Sequence, residues 1–271
     1  MRDVFRTIEV SDPHYERSGL RNVTVKSAAL RARADITLFN PPELPEAPNP
    51  PLVILLHGAY GSHWAWTLKG GVHLTAQALI RQGSIMPMVL AMPSDGLWGD
   101  GSGYVRHPGQ DFERWIVEEV AAATALALER AEPWPAVFLA GLSMGGCAAL
   151  RLGAKYHQIF RGVSAHSSMT RFEQMSAYVE EDLSLYGPTA EDRDVLPVML
   201  AHRADMPPVR FDCGIEDPLI EYNRELHRQL TAAQVPHHYQ EFPGGHEWPY
   251  WQDHVADSLR FFHDIVHGSG T

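Results

Sequence analysis

The run Phe138-Leu139-Ala140-Gly141-Leu142-Ser143-Met144-Gly145-Gly146-Cys147 constrains this chain more than any other stretch. Its apolar start fits a buried strand, and its small residues, continuing through Ala148 and Ala149, fit a closely packed helix. Gly141 and Gly145 lie two residues either side of Ser143, where a β-carbon would collide as strand turns into helix. Such a turn holds Ser143 in one position. A serine hydroxyl is a poor nucleophile in water, so it also needs a base within hydrogen-bond reach and donors waiting for an oxyanion.

The acid and the base are expected downstream, in that order. Cys213-Gly214-Ile215-Glu216-Asp217-Pro218 follows the apolar stretch Val209 to Phe211, which puts Asp217 on a loop at a strand end. Asp212 and Glu216 flank it as alternatives, Asp212 within the strand-like run and Glu216 as a supporting partner. Phe242-Pro243-Gly244-Gly245-His246 follows a second strand-like run from His238, and its glycines leave His246 on a loop. Upstream, Pro51 to Leu56 reads as a buried strand ending in His57-Gly58-Ala59-Tyr60-Gly61. A loop there supplies one backbone N–H of an oxyanion hole and the residue after the nucleophile supplies the other, so the predicted donors are Ala59 and Met144. His57 is expected to brace that loop.

Taken together, Leu56-His57-Gly58, Gly141 to Gly146, Cys213 to Asp217 and Pro243-Gly244-Gly245-His246-Glu247-Trp248 resemble the α/β-hydrolase superfamily. Within it they are similar to the esterases that include esterase D, S-formylglutathione hydrolase, feruloyl, acetyl-xylan and tributyrin esterases and the mycolyl transferases. The resemblance implies an α/β-hydrolase fold and an esterase with a Ser143-Asp217-His246 triad. It leaves the acyl group open, and one member class transfers acyl chains to sugars.

The chain has 271 residues and 45% hydrophobic content, enough for one large core, so residues 1–271 are expected to form a single domain. No apolar run suggests a membrane span, and the first residues lack the apolar block of a signal peptide. Two cysteines make no disulfide framework; Cys147 and Cys213 read as packed thiols, and the expected compartment is the cytoplasm. A net charge of −11 disfavours nucleic acid and anionic membranes as partners. Oligomeric state is not legible.

Strands are expected at Leu20 to Lys26, Ala32 to Phe39 and Met86 to Met92, and at Gly162 to His166 as the sixth. Helices are expected at Val72 to Gln82 and Asp111 to Arg130, and the proline-rich stretch Asn40 to Pro51 reads as a surface loop. The alternation predicts a mostly parallel central sheet with helices on both faces. Residues 167–206 follow as an insertion, either a cap whose methionines and aromatics line an acyl pocket or packed surface helices. The glycine-rich loop Asp95 to Gly109 reads as a mobile wall of the cleft.

Aromatic residues gather around the expected mouth: Tyr60, Trp64, Trp66, Trp98, Tyr104, Trp248, Tyr250 and Trp251. Tyr60, Trp66 and Trp98 are the pocket candidates, whereas Trp251 is expected to pack the last helix. His166 reads as a polar pocket wall or a satisfied core histidine. His237-His238 and His263 with His267 are weak metal signals, and His246-Glu247 lacks a second histidine at position 250, so neither metal nor cofactor is expected.

The expectation is a serine carboxylesterase acting on small-molecule esters with short acyl or aryl groups, carbohydrate esters among them. The alternatives are an S-formylglutathione or other thioester hydrolase, an acyltransferase to a sugar, and a non-catalytic binding module on a hydrolase scaffold.

Overall fold

A computed structural model describes residues 5–43, 49–130, 133–187 and 192–268. In chain order the strands are β1 (Ile8–Val10), β2 (Leu20–Lys26), β3 (Arg33–Phe39), β4 (Leu52–Leu56), β5 (Val89–Pro93), β6 (Arg106–His107), β7 (Gln110–Asp111), β8 (Val137–Leu142), β9 (Phe160–His166), β10 (Val209–Gly214) and β11 (His238–Phe242). The helices are α1 (Ala65–Leu68), α2 (Val72–Arg81), α3 (Phe112–Arg114), α4 (Val120–Ala127), α5 (Met144–Lys155), α6 (Val195–Ala201), α7 (Ile220–Ala232) and α8 (Trp248–His267).

Nine of the described strands form one sheet in the order β1-β2-β3-β5-β4-β8-β9-β10-β11, and β6 pairs with β7 apart from it. Every pairing from β5 through β11 is parallel, and β1, β2 and β3 join antiparallel at one edge. The sheet is therefore mostly parallel. Buried side chains alternate across it with the period-2 pleat. Leu52, Ile54 and Leu56 of β4 and Leu139 of β8 enter the core shared with α4, α5 and α7. Val53, Leu55, Phe138, Ala140 and Leu142 enter the core beneath α2 and α8. Helices thus cover both faces, as the continuous apolar strands require.

Several element bounds differ from the sequence reading for visible reasons. Strand β5 starts at Val89 and not Met86, because the Met86 N–H donates to His263 Nδ1 at 3.0 Å and Pro87 has no N–H to give. The helix expected from Asp111 to Arg130 opens with the Asp111 carboxylate accepting the Arg114 N–H at 2.9 Å, widens into a π-turn over Trp115–Glu119, and ends at Ala127. Its Glu119 carboxylate accepts the Ser27 hydroxyl at 2.5 Å and the Ala29 N–H at 2.8 Å, tying the helix to the β2–β3 connection. The edge strand β1 went unread because only three short, mostly exposed residues form it.

Of the proline-rich loop, residues 44–48 lie outside the described residues, and the flanking parts are neither helix nor strand. Of the 167–206 insertion, residues 188–191 lie outside them too. The rest consists of 3₁₀ turns at Phe172–Ala177 and Leu183–Leu185 followed by α6. Met169, Phe172, Met175 and Tyr186 are buried in the same core as α5. Among the described residues no helix is long and apolar enough to cross a membrane.

Candidate active site

Strand β8 ends at Leu142, and α5 begins at Met144, so Ser143 alone makes the turn, at φ 55° and ψ −119°. A β-carbon on Gly141 would lie 2.2 Å from the Gly145 carbonyl oxygen, and one on Gly145 would lie 2.5 Å from the Leu56 and His57 oxygens. Only glycine lets the helix start this close to both strands. The Ser143 N–H donates to the His166 carbonyl at 3.0 Å, and that bond helps hold the strained residue in place.

Ser143, Asp217 and His246 meet at the C-terminal edge of the sheet. Ser143 Oγ lies 3.0 Å from His246 Nε2, and His246 Nδ1 lies 2.9 Å from Asp217 Oδ2. An ionised carboxylate only accepts, so the Nδ1 proton points to Asp217, and Nε2 is left to accept from the serine hydroxyl. The other Asp217 oxygen accepts the Leu219 N–H at 2.8 Å, and its side chain is fully shielded from solvent, whereas His246 is 19% exposed. The imidazole is bracketed by the Trp251 ring edge-on at 5.1 Å and by the Tyr178 ring at 6.0 Å.

The two other acids fall elsewhere. Glu216 clamps the two loops together, its carboxylate accepting the Gly244 N–H at 2.5 Å and its own N–H donating to the Gly244 carbonyl at 3.1 Å. Asp212 is buried behind the serine and pairs with His166. His57 is buried with both ring nitrogens engaged: Nδ1 donates to the Gly58 carbonyl at 2.8 Å, and Nε2 accepts the Asp95 N–H at 3.3 Å. Its ring is thereby fixed beneath the loop that carries Ala59. Among the described residues no protein acceptor takes the N–H of Ala59 or of Met144.

The serine opens onto a cleft of about 430 Å³ lined by residues of the Ala59 loop together with Trp64, Lys69, Tyr178, Glu247, Trp248 and Trp251. Of the three aromatic pocket candidates, only Tyr60 lines it. Trp66 is buried beneath the site, its indole N–H donating to the Leu56 carbonyl at 3.0 Å. Trp98 packs edge-on against His107 and Tyr186, away from the cleft. Trp251, expected to be packing alone, borders the cleft and also donates its N–H to Ser167 Oγ at 3.2 Å.

The glycine-rich loop is likewise not a cleft wall. Residues Gly101 to Val105 are buried, and a β-carbon on Gly101 would lie 2.6 Å from Met144 Sδ, so the loop backs the Met144 side chain. From the insertion, Tyr178 alone of the described residues reaches the cleft, where its carbonyl accepts the Tyr60 hydroxyl. Burial, with the Asp217 charge second, holds the Tyr178 phenol above its usual range; burial, Asp100 and Glu180 do the same at Tyr60. Both stay neutral hydroxyls. Lys69 and Glu247 also line the cleft though neither was expected there, and Lys69 carries no sequence signal beyond lying near Trp64. Its ammonium sits 5.9 Å from the Trp248 ring. Among the described residues no group of three or more potential ligands clusters to hold a metal.

A family model described as Putative esterase matches residues 27–262. The acetyl esterase of Caldicellulosiruptor saccharolyticus is 23% identical over 239 residues, covering 81% of this chain and 86% of that protein. A ferulic acid esterase structure superposes with a TM-score of 0.78 at 24% identity, over 96% of this chain and 99% of that one. An S-formylglutathione hydrolase from Agrobacterium tumefaciens does so with a TM-score of 0.74 at 15% identity, over 97% and 99%. The superpositions show an α/β-hydrolase fold.

Proposed function

The chain belongs to the Putative esterase family and is a carboxylic ester hydrolase, and from that premise we propose a serine esterase in which Ser143 is the nucleophile, His246 the general base and Asp217 the orienting acid. The observation that carries the reading is the continuous chain from Ser143 Oγ to His246 at 3.0 Å and on to Asp217 at 2.9 Å, on the floor of a cleft.

Ser143 Oγ attacks the ester carbonyl while His246 Nε2 takes its proton, and Asp217 stabilises the imidazolium that results. The carbonyl oxygen becomes an oxyanion between the N–H groups of Ala59 and Met144, which give up no hydrogen bond to another described residue. Collapse breaks the bond to the leaving alcohol, which receives the proton from His246. Water then attacks the acyl-enzyme with the same base, and Ser143 is regenerated.

The cleft volume and its aromatic lining of Trp64, Tyr178, Trp248 and Trp251 support short acyl and aryl esters, with carbohydrate esters among them. An acetyl esterase among the relatives is consistent with the short-acyl part. The test is a panel of p-nitrophenyl esters from acetate to laurate, with methyl ferulate, an acetylated xylo-oligosaccharide and S-formylglutathione beside them. Hydrolysis of the short esters, falling steeply beyond about C6 and abolished in Ser143→Ala, is the expected result. Turnover of the thioester alone, or equal turnover by Ser143→Ala, contradicts it.

A further inference from the structure

Behind the candidate triad lies a second chain of the same three residue types. His166 Nδ1 lies 2.9–3.0 Å from the two Asp212 oxygens, and His166 Nε2 lies 2.8 Å from Ser258 Oγ. All three residues are 0% exposed, so no substrate reaches them. Arg210 closes the chain: its Nη1 donates to Ser164 Oγ and Ser258 Oγ, each at 3.3 Å, and lies 2.8 Å from Asp212 Oδ2. The two hydroxyls are 2.6 Å apart.

The chemistry of its end members sets part of the hydrogen bonding in this cluster. Arg210 only donates and Asp212 only accepts. His166 Nδ1 must then donate to Asp212, and Nε2 pairs with the Ser258 hydroxyl, which pairs in turn with Ser164. The imidazole lies between a buried guanidinium and a buried carboxylate. Every one of these side chains is buried, so breaking a bond leaves a polar group without water to replace its partner, and the cluster resists rearrangement.

The cluster touches the candidate catalytic groups from two sides. The His166 carbonyl accepts the Ser143 N–H at 3.0 Å, and the Asp212 carbonyl accepts the N–H of Ser167 at 2.8 Å. On the other side the Tyr250 hydroxyl donates to Asp212 Oδ1 at 2.8 Å. Tyr250 stands in the first turn of α8, just after His246, and packs so tightly under Gly244 that a β-carbon there would lie 2.9 Å from its ring. Resting on the proposed role of Ser143, we infer that Asp212, His166 and Ser258 are positioning residues that hold the serine amide and the His246 loop in mutual register.

The test compares wild type with Ser258→Ala, Tyr250→Phe, His166→Asn and His166→Asn/Ser258→Ala. For each, kcat and KM on p-nitrophenyl acetate and the rate at which a fluorophosphonate labels Ser143 are measured well below the melting midpoint, per folded molecule. Misplacing reacting atoms by about 1 Å costs about 10²-fold. Ser258→Ala is expected to lower kcat about tenfold, with KM within about twofold and the labelling rate falling in step. Asn at 166 keeps the donor to Asp212 and drops the Ser258 arm, so adding Ser258→Ala to it should change kcat by less than about twofold. Should His166→Asn not fold, Ser258→Ala and Tyr250→Phe decide. Unchanged kcat and labelling rate in those two, with only the melting midpoint lowered, overturn the inference while wild-type labelling at Ser143 leaves the esterase reading intact. Wild-type labelling elsewhere than Ser143 overturns both.

Discussion

Ser143-His246-Asp217 and Ser258-His166-Asp212 use the same side chains at nearly the same separations, 3.0 Å and 2.8 Å between serine oxygen and imidazole nitrogen. One borders a cleft beside two amides that no described residue accepts from; the other is sealed, with its histidine bonded to both its acid and its serine. A serine–histidine–acid chain therefore carries no chemistry by itself. What separates them is access, a strained serine at φ 55°, and unmatched N–H groups where an oxyanion would form. Their acids differ too. The second is locked between Arg210 and His166, which hold the Asp212 carboxyl below its usual range although burial pushes the other way.

The difference can be broken most forcefully at Ser143, the proposed nucleophile. Ser143→Ala is expected to cost about 10⁶-fold in kcat with little change in melting midpoint, in steady-state assays and thermal melts on the same sample. Asp217→Asn should cost about 10⁴-fold by favouring the wrong His246 tautomer, while Glu216→Gln, altering an exposed bond to Gly244, changes kcat by less than about twofold. Equal effects at 216 and 217 would move the acid assignment.

Substitutions at the sealed chain are expected to cost stability as well as turnover. Asp212→Asn leaves Arg210 buried without its partner and is expected to cost about 3–5 kcal/mol in denaturant melts. Ser258→Ala leaves His166 Nε2 unmatched and costs about 1–3 kcal/mol by the same measurement. The pH dependence has a definite sign. Because the folded-state pKa of Asp212 is depressed, its stabilisation is present above the unfolded carboxylate value of about 3.9 and is lost as pH falls through the folded value. Wild type should therefore lose, on acidification, a component of stability that Asp212→Asn lacks.

Sequence reading reached the strand–turn–helix around Ser143 and the loops that carry Asp217 and His246 because each rests on local chemistry: glycines where backbones meet, apolar runs before loops. It failed where contacts depend on register or rotation. Asp212 and His166 read as separate curiosities because the parallel pairing that sets Asp212 beside His166 is fixed only when β9 and β10 align. Trp64 and Trp66 look equivalent in a row, yet two residues on a helical turn point about 200° apart. Trp64 faces the cleft, and Trp66 is buried with its N–H on Leu56. In the 167–206 insertion, helical spacing did not separate Tyr178, at the cleft, from Met175, in the core.

The most direct measurement is the mass and site of covalent labelling by a fluorophosphonate, read by intact-mass and peptide analysis alongside the Ser143→Ala protein. One adduct per chain, on the peptide carrying Ser143, with activity lost in proportion and no adduct on Ser143→Ala, is the predicted result. An unlabelled Ser143 in an enzyme that still turns over esters, or an adduct on another serine that abolishes turnover, would contradict the account.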